Sequence, residues 1–294
     1  MACDQGYRCY RSATYTRCIQ GETQTAHAES GFLAHTLQGM KPWPYPFWIA
    51  HRGAGSLAPE NTLSAIALGC QHGYRMFECD VRLSADGVPF LLHDDTLERT
   101  TSGHGPAASA FWKDLSALDA GGWHSPKYGG ASLPTLDSVL LYCLEHRLAV
   151  NLELKPSPGQ EIASGTVVAQ RIQELWPRES GAPYPLLSSF QTLALDAAQA
   201  VAPNLPRGLL LDTLWTGWLE KALELDCAAI VAHHSLWDSA LLSQAHANHL
   251  RALSYTVNDA ATACRLAELG LDGLITDRVS DFDPNQNRPT PQCP

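Results

Sequence analysis

The 294-residue chain lacks the features that would place it at once in several broad classes of protein. It has no apolar run of about 18 residues, so we expect no membrane-spanning helix and no stable membrane insertion. Lys and Arg number only 20 against 30 Asp and Glu, and the net charge of −10 argues against a nucleic-acid partner, which needs clustered positive charge. The nine cysteines include no C-x-x-C pair, so we predict neither a zinc site nor a disulfide framework, and we expect a reducing, cytoplasmic compartment.

The composition that remains is typical of one large globular domain. Hydrophobic residues make up 45% and charged residues 17%, which suits a large buried core. The length allows two ordinary domains, but α/β barrels of about 250 residues are single domains. Residues 1–39 show no sustained period and no apolar segment of a signal peptide, so we interpret them as a disordered or misassigned leader. The predicted domain spans 40–282, and 283–294 is predicted to be a frayed tail.

Between these ends, apolar segments typical of strands alternate with segments of helical period. The first strand ends at His51, and a helix is predicted over 62–72 with Asn61 as its N-cap. The irregular stretch 96–134 is predicted to be a lid or a small inserted subdomain. Without the strand that returns to His93, eight strands alternate with helices, which favours an α/β fold of the closed (β/α)8 type over an open sheet. The later predicted strands cover 186–190, 207–211, 229–233, 250–257 and 273–276.

Acidic and imidazole side chains stand near the ends of several predicted strands. His51 ends the first strand, Glu78 and Asp80 lie in the second, and Glu153 ends another. The two-residue period of a strand puts Glu78 and Asp80 on one face, where two carboxylates repel each other unless a cation lies between them. Because strand carboxyl ends carry the chemistry of a (β/α)8 barrel, we predict a hard divalent metal site with acid/base groups beside it.

The turn at Asp86-Gly87 brings a second histidine to the same place. It separates two apolar runs and is a hairpin signal. If the strands fold back about Asp86, residues whose numbers sum to about 172 lie opposite each other, and His93 lies across from Cys79. A slip of one residue in this register would turn His93 to the other face.

Each fragment has a simpler interpretation when it is taken alone. Glu78 with Asp80 could be a salt-bridged strand edge, and Glu153 with Lys155 is more often an ion pair than a site. His51-Arg52-Gly53 after a strand is a common tripeptide. The combination of all three at strand ends is what favours a functional site.

Further motifs follow in a fixed order along the chain. The series is His-Arg-Gly at 51–53, Pro-Glu-Asn-Thr at 59–62, Glu-Cys-Asp-Val at 78–81, Asp-Gly at 86–87, His-Asp at 93–94, Glu-Leu-Lys at 153–155, Ser-Phe at 189–190, Thr-Val-Asn at 256–258 and Asp-Gly-Leu-Ile-Thr-Asp at 272–277. Over roughly residues 49–277 it resembles the glycerophosphodiester phosphodiesterase family. The resemblance implies a TIM-type barrel with a small insertion after the second histidine. It also implies cleavage of glycerophosphodiesters to sn-glycerol 3-phosphate and an alcohol, with one divalent metal ion, Ca²⁺ or Mg²⁺.

The resemblance also implies a role for each residue of the site. His51 and His93 correspond to the acid/base pair. Glu78, Asp80 and Glu153 correspond to the metal ligands. The implied substrate-binding residues are Arg52 and Lys155 near the phosphate, Glu60, Phe190, and Tyr255, which stands where many relatives carry Trp.

Several alternatives stay open at the level of sequence. A lysophospholipase D or sphingomyelinase D type of phosphodiesterase could use the same barrel, and so could a binding protein that has lost its chemistry. An imidazole pKa of about 6.5 suits both roles, so which histidine is the base stays open, and we favour His51 as general base and His93 as general acid. The nucleophile is either the glycerol 2-hydroxyl or water. The expected partner is a small-molecule glycerophosphodiester, and the oligomeric state is open.

Overall fold

The computed structural model describes residues 43–177 and 180–286, so the predictions for the leader 1–39 and for most of the tail lie outside the described residues. Eight parallel strands form a closed barrel, since β1 pairs with both β2 and β9. The (β/α)8 prediction is therefore confirmed. The strands are β1 Trp48–His51, β2 Met76–Leu83, β4 Ala149–Leu154, β5 Leu186–Ser189, β6 Arg207–Leu211, β7 Ala229–His233, β8 Arg251–Tyr255 and β9 Gly273–Thr276, with the short antiparallel β3 at Pro89–Leu91.

Helices follow most of the barrel strands and cover the outside of the barrel. Every second residue of the strands, for example Phe77, Cys79 and Val81 on β2, lies on the face that packs with helix residues into the main core. Among the described residues, no helix is long and apolar enough to cross a membrane. The α-helices span Leu63–Gln71, Trp112–Leu115, Leu136–His146, Glu161–Leu175, Thr192–Val201, Trp218–Glu224, Ser239–Ala247 and Ala260–Leu269.

The residues on the opposite face of each strand fill the barrel interior. Near the strand starts they form a second apolar cluster that includes Ile49, Met76, Ala149 and Ile275. Two residues further along β1, β2 and β4, the same face carries His51, Glu78 and Asn151. The interior is therefore apolar at the bottom and polar at the top, where the strands end.

The hairpin has the register that the sequence predicts. Val81 pairs with Leu91 and Arg82 with Phe90, so opposing residue numbers sum to 172. Gly87 adopts a φ of +79°, which an L side chain rarely adopts, and its N–H donates to Ser84 O at 3.0 Å. His93 lies two residues after the end of this returning strand.

The start of the first helix differs from the prediction. Thr62 is the N-cap, because its hydroxyl accepts from Ala65 N at 3.1 Å. Asn61 instead adopts a left-handed φ of +58° and hydrogen-bonds to Asp80 of β2. The local pattern identified the cap one residue too early because Asn and Thr both cap helices.

The stretch 96–134 packs as a small subdomain. It contains the α-helix Trp112–Leu115 and the 3-10 turns Ala107–Ser109 and Pro126–Tyr128. Its apolar side chains form a cluster of their own with Phe90 and Leu92.

The cysteines only partly follow the expectation. Cys70, Cys79, Cys143 and Cys227 are free thiols, and burial raises the pKa of each. Cys264, however, is disulfide-bonded, so the expectation that the cysteines are reduced is not met there.

Candidate active site

Three carboxylates meet inside the mouth of the barrel. Glu78 and Asp80 lie two residues apart on β2, and Glu153 pairs with Asp80 across the β2–β4 ladder. One oxygen from each of the three lies within 4.8 Å of the others. Oε1 of Glu78 is buried and has no hydrogen-bond partner among the residues that the structure describes. A cluster of this kind offers the hard oxygen ligands that a divalent metal ion prefers.

Burial and mutual repulsion perturb these carboxyl groups strongly. Burial, with the charge of Asp80, raises the pKa of Glu78 to about 8 and the pKa of Glu153 to about 7. Burial also acts to raise the pKa of Asp80, but the charges of Arg52, His93 and Lys155 outweigh it, and the pKa is lowered. The protein therefore concentrates negative charge at a point where its own cations compensate only part of it.

Two cations border the cluster. Lys155 Nζ lies 3.1 Å from Glu153 Oε1 and 3.9 Å from Asp80 Oδ1. Arg52 Nε lies 3.5 Å from Asp80 Oδ2, and the Arg52 backbone N–H donates to Glu78 Oε2 at 3.4 Å. Both side chains are mostly buried, at 19% exposure for Arg52 and 18% for Lys155.

His51 is held between two acids. Its Nδ1 lies 2.6 Å from Asp277 Oδ1, and its Nε2 lies 3.7 Å from Glu78 Oε2. Burial acts to lower the pKa of His51, but the hydrogen bond to Asp277 and the charge of Glu78 outweigh it, and the pKa is raised. Asn258 fixes Asp277 in turn, through Nδ2 to Oδ2 at 2.9 Å.

His93 lies on the other side, after β3. Its Nδ1 is 2.8 Å from Asp94 Oδ1. Burial lowers the pKa of His93, although Asp80 acts in the opposite direction. The buried guanidinium of Arg82 donates to the His93 backbone carbonyl, from Nη2 at 2.7 Å and from Nε at 3.1 Å, and so fixes the chain at this point.

The loop after β1 has an unusual backbone. Arg52 adopts a φ of +50°, which is rare for a residue other than glycine and is common at functional sites. Gly55 approaches the end of β9 so closely that a Cβ there would lie 2.1 Å from Asp277 O. The loop thus requires glycine at this position in order to keep Arg52 near the acids.

The remaining predicted substrate-binding residues lie on two sides of the mouth. Glu60 accepts from Arg52 Nη1 at 2.8 Å and lines an open cleft of about 570 Å³ with His51 and Trp123. Tyr255 lines a smaller cavity with Glu78 and Glu153, and its ring packs edge-on against Phe190 at 6.0 Å between centroids.

From the sequence, no role in the site was predicted for four residues that orient it. Asn61, Asp94, Arg99 and Asp277 hold Asp80, His93, Glu60 and His51 respectively. Asn61, Asp94 and Asp277 lie inside motifs of the series, which was a usable signal, whereas Arg99 lies in none.

The fold and the site can be compared with known proteins. Residues 51–281 match the sequence profile of the glycerophosphoryl diester phosphodiesterase family. The chain belongs to this family. YhdW of Bacillus subtilis is 30% identical over 233 residues, which cover 78% of this chain and 93% of that protein. A glycerophosphodiester phosphodiesterase of Caldanaerobacter subterraneus subsp. tengcongensis is 29% identical over the same shares.

Solved structures of the family agree with the barrel. A phosphodiesterase of Oleispira antarctica, determined with its product sn-glycerol 3-phosphate, is similar with a TM-score of 0.75 and 36% identity, covering 79% of this chain and 93% of that one. A glycerophosphodiester phosphodiesterase of Agrobacterium tumefaciens gives 0.67 and 28%, covering 80% and 97%.

Proposed function

We propose that the protein uses this site to hydrolyse glycerophosphodiesters to sn-glycerol 3-phosphate and an alcohol. The observation that carries the proposal is the cluster of Glu78, Asp80 and Glu153 with a histidine on either side, in a member of the family. The Oleispira antarctica structure contains sn-glycerol 3-phosphate, which supports a small glycerophosphodiester as the substrate. The lysophospholipase D and sphingomyelinase D alternatives gain no separate support.

The three carboxylates fit a single Mg²⁺ or Ca²⁺ ion. Both ions prefer oxygen ligands, and Glu78 Oε1 is a buried oxygen with no hydrogen-bond partner in the described part of the chain. The raised pKa values of Glu78 and Glu153 indicate that the protein leaves these charges poorly compensated. When bound, such an ion would neutralise charge on the phosphate oxygens.

The two histidines suit opposite proton transfers. Asp277 at His51 Nδ1 keeps Nε2 for the reaction and favours proton uptake, as a general base requires. His93 has its Nδ1 paired with Asp94, which leaves Nε2 as the nitrogen that carries and donates the proton, as a general acid requires. The proton accepted by His51 comes from the nucleophile, and His93 protonates the departing alcohol oxygen.

Arg52 and Lys155 are the proposed anchors of the phosphate. Each is a mostly buried cation within 4 Å of a carboxylate of the cluster. A phosphodiester carries negative charge in both the ground and the transition state, so these cations contribute to binding as well as to turnover. We propose that Tyr255 and Phe190 line the glycerol side of the site. Glu60 is proposed to orient Arg52.

The test is release of sn-glycerol 3-phosphate from glycerophosphocholine by the purified full chain. We expect turnover to be abolished after exhaustive dialysis against EDTA and to be restored by Mg²⁺ or Ca²⁺. Glu78→Gln should shift the metal dependence to higher concentration, whereas Glu174→Gln, a control on an exposed helix face paired with Arg171, should not. Full turnover in metal-free protein contradicts the proposal.

A further inference from the structure

Arg99 of the inserted subdomain reaches back towards the active site. Its guanidinium forms two hydrogen bonds with Glu60, from Nη1 at 2.7 Å and from Nη2 at 2.9 Å. It forms two more with Asp94, from Nε at 2.6 Å and from Nη2 at 2.8 Å. The planar fork of an arginine matches two carboxylates in this way, and a lysine cannot.

The two acids lead to opposite parts of the site. Glu60 also accepts from Arg52, the proposed phosphate anchor, at 2.8 Å. Asp94 also pairs with Nδ1 of His93 at 2.8 Å. Arg99 therefore closes an unbroken chain of charge-assisted hydrogen bonds from Arg52 to His93.

This series of hydrogen bonds fixes the positions of both carboxylate oxygens of Asp94. Arg99 binds both Oδ1 and Oδ2, and the same Oδ1 contacts His93. A carboxylate held at both oxygens cannot rotate away, so the imidazole it contacts is fixed in tautomer and orientation. Without Arg99, Asp94 could turn to solvent, since its side chain is 25% exposed.

We propose that Arg99 is a positioning residue for the departing alcohol, because it holds His93 through Asp94 and couples it to Arg52 through Glu60. This inference rests on the proposed function, in which His93 acts as the general acid. It gives the insertion a part in the chemistry in addition to its packing.

Two other roles for Arg99 predict different kinetics. Its side chain is 45% exposed, and exposed ion pairs contribute little to folding stability. If the role of Arg99 were purely structural, its replacement would lower activity by the same factor on every substrate. Arg99 also lines the open cleft, and a direct contact with the phosphate would mainly raise KM. A positioning role instead lowers kcat for poor leaving groups.

The experiment compares Arg99→Gln and Arg99→Lys on two substrates, glycerophosphocholine and a nitrophenyl ester of glycerol phosphate. We expect Arg99→Gln to lower kcat for glycerophosphocholine by about 10- to 100-fold, as is usual when a partner that orients an active group is lost. With the nitrophenyl ester, whose departure needs little protonation, the loss should shrink to about threefold or less. Arg99→Lys should recover only part of kcat, because one ammonium group cannot hold both acids.

Arg171 provides the matched control. It is similarly exposed, at 36%, and bridges Asp137 and Glu174 on helices away from the site. Arg171→Gln should leave kcat for both substrates unchanged. Equal losses of Arg99→Gln on both substrates, a change in KM alone, or no loss at all would each overturn the positioning role. In each of those cases the wild-type protein still releases glycerol phosphate, whereas failure of the proposed function is the absence of that release.

Discussion

The two ends of the barrel treat buried charge in opposite ways. At the strand starts, Arg207 donates to the backbone carbonyls of five residues and is 1% exposed. Asp272, just before β9, accepts from Arg251, from the Ala252 backbone and from His246. At the strand ends, Glu78 and Glu153 face another acid and keep raised pKa values. The buried charges at the strand starts therefore have compensating partners within the protein, whereas the carboxylates at the strand ends are compensated only in part.

This difference between the two ends extends to the uncharged polar groups buried at the mouth. Asn151 and Ser188 are buried at the mouth, and the amide of Asn151 and the hydroxyl of Ser188 have no hydrogen-bond partner within the described residues. Both line the small cavity beside Glu78 and Glu153. Unpaired buried polar atoms are costly, so their concentration here supports a site that is completed by what it binds.

The largest effect should come from the two histidines. His51→Ala and His93→Ala should each lower turnover of glycerophosphocholine by about 10²–10⁴-fold, the usual range for a lost general acid or base. Metal affinity, measured by calorimetry, should change little, because we assign the metal to the carboxylates.

A nitrophenyl ester separates the two histidines. Its leaving group needs little protonation, so His93→Ala should recover turnover on this substrate and His51→Ala should not. Equal recovery by both variants, or recovery by His51→Ala alone, would mean that the assignment of base and acid is wrong.

The second prediction compares the mouth with the bottom directly. In metal-free protein at pH 8, Glu78→Gln should raise the thermal midpoint by a few degrees, because it removes one of several mutually repelling charges. Asp272→Asn should instead destabilise the fold by about 3 kcal/mol, since it removes a largely buried negative charge that accepts from Arg251, from the Ala252 backbone and from His246. If Glu78→Gln lowers the midpoint of the metal-free protein, the carboxylate cluster is internally satisfied and the comparison fails.

The pH dependence of stability has the sign that these pKa values require. Glu78 and Glu153 have pKa values of about 8 and about 7 in the fold, against 4.5 ordinarily. The folded state binds more protons in that interval, so the stability of the metal-free protein should fall as pH rises from about 4.5 to about 8. Added Mg²⁺ should abolish most of the fall, and Glu78→Gln should weaken it. A flat thermal midpoint across this interval without metal would contradict the raised pKa values.

Local patterns predicted the elements that local chemistry determines. The Asp86-Gly87 turn predicted the hairpin register in which β2 and β3 pair. The strands 207–211, 229–233 and 273–276 were predicted at their observed bounds because apolar runs bounded by turn residues define them.

The contacts that complete the site could not be found in this way. His51 and Asp277 are 226 positions apart, and Glu60 and Arg99 are 39 apart. Such pairs depend on barrel closure and on the path of the insertion. The Asn61 error has the same origin, because its partner Asp80 lies on another element and no local signal distinguishes that contact from a helix cap.

The smallest effect is expected at Tyr255. It lies at the mouth of the barrel, but its polar group has a hydrogen-bond partner within the protein, as the buried charges at the strand starts do. Its hydroxyl donates to the Leu211 carbonyl at 3.1 Å, and its ring contacts Phe190 and His233. Tyr255→Phe keeps the ring and removes one neutral hydrogen bond of about 1 kcal/mol, so KM for glycerophosphocholine should rise by about fivefold at most and kcat should not change. Tyr255→Ala, which also removes the ring, should raise KM further. If Tyr255→Phe lowers kcat as much as His93→Ala does, the hydroxyl takes part in proton transfer, and the assignment of that step to two histidines alone is wrong.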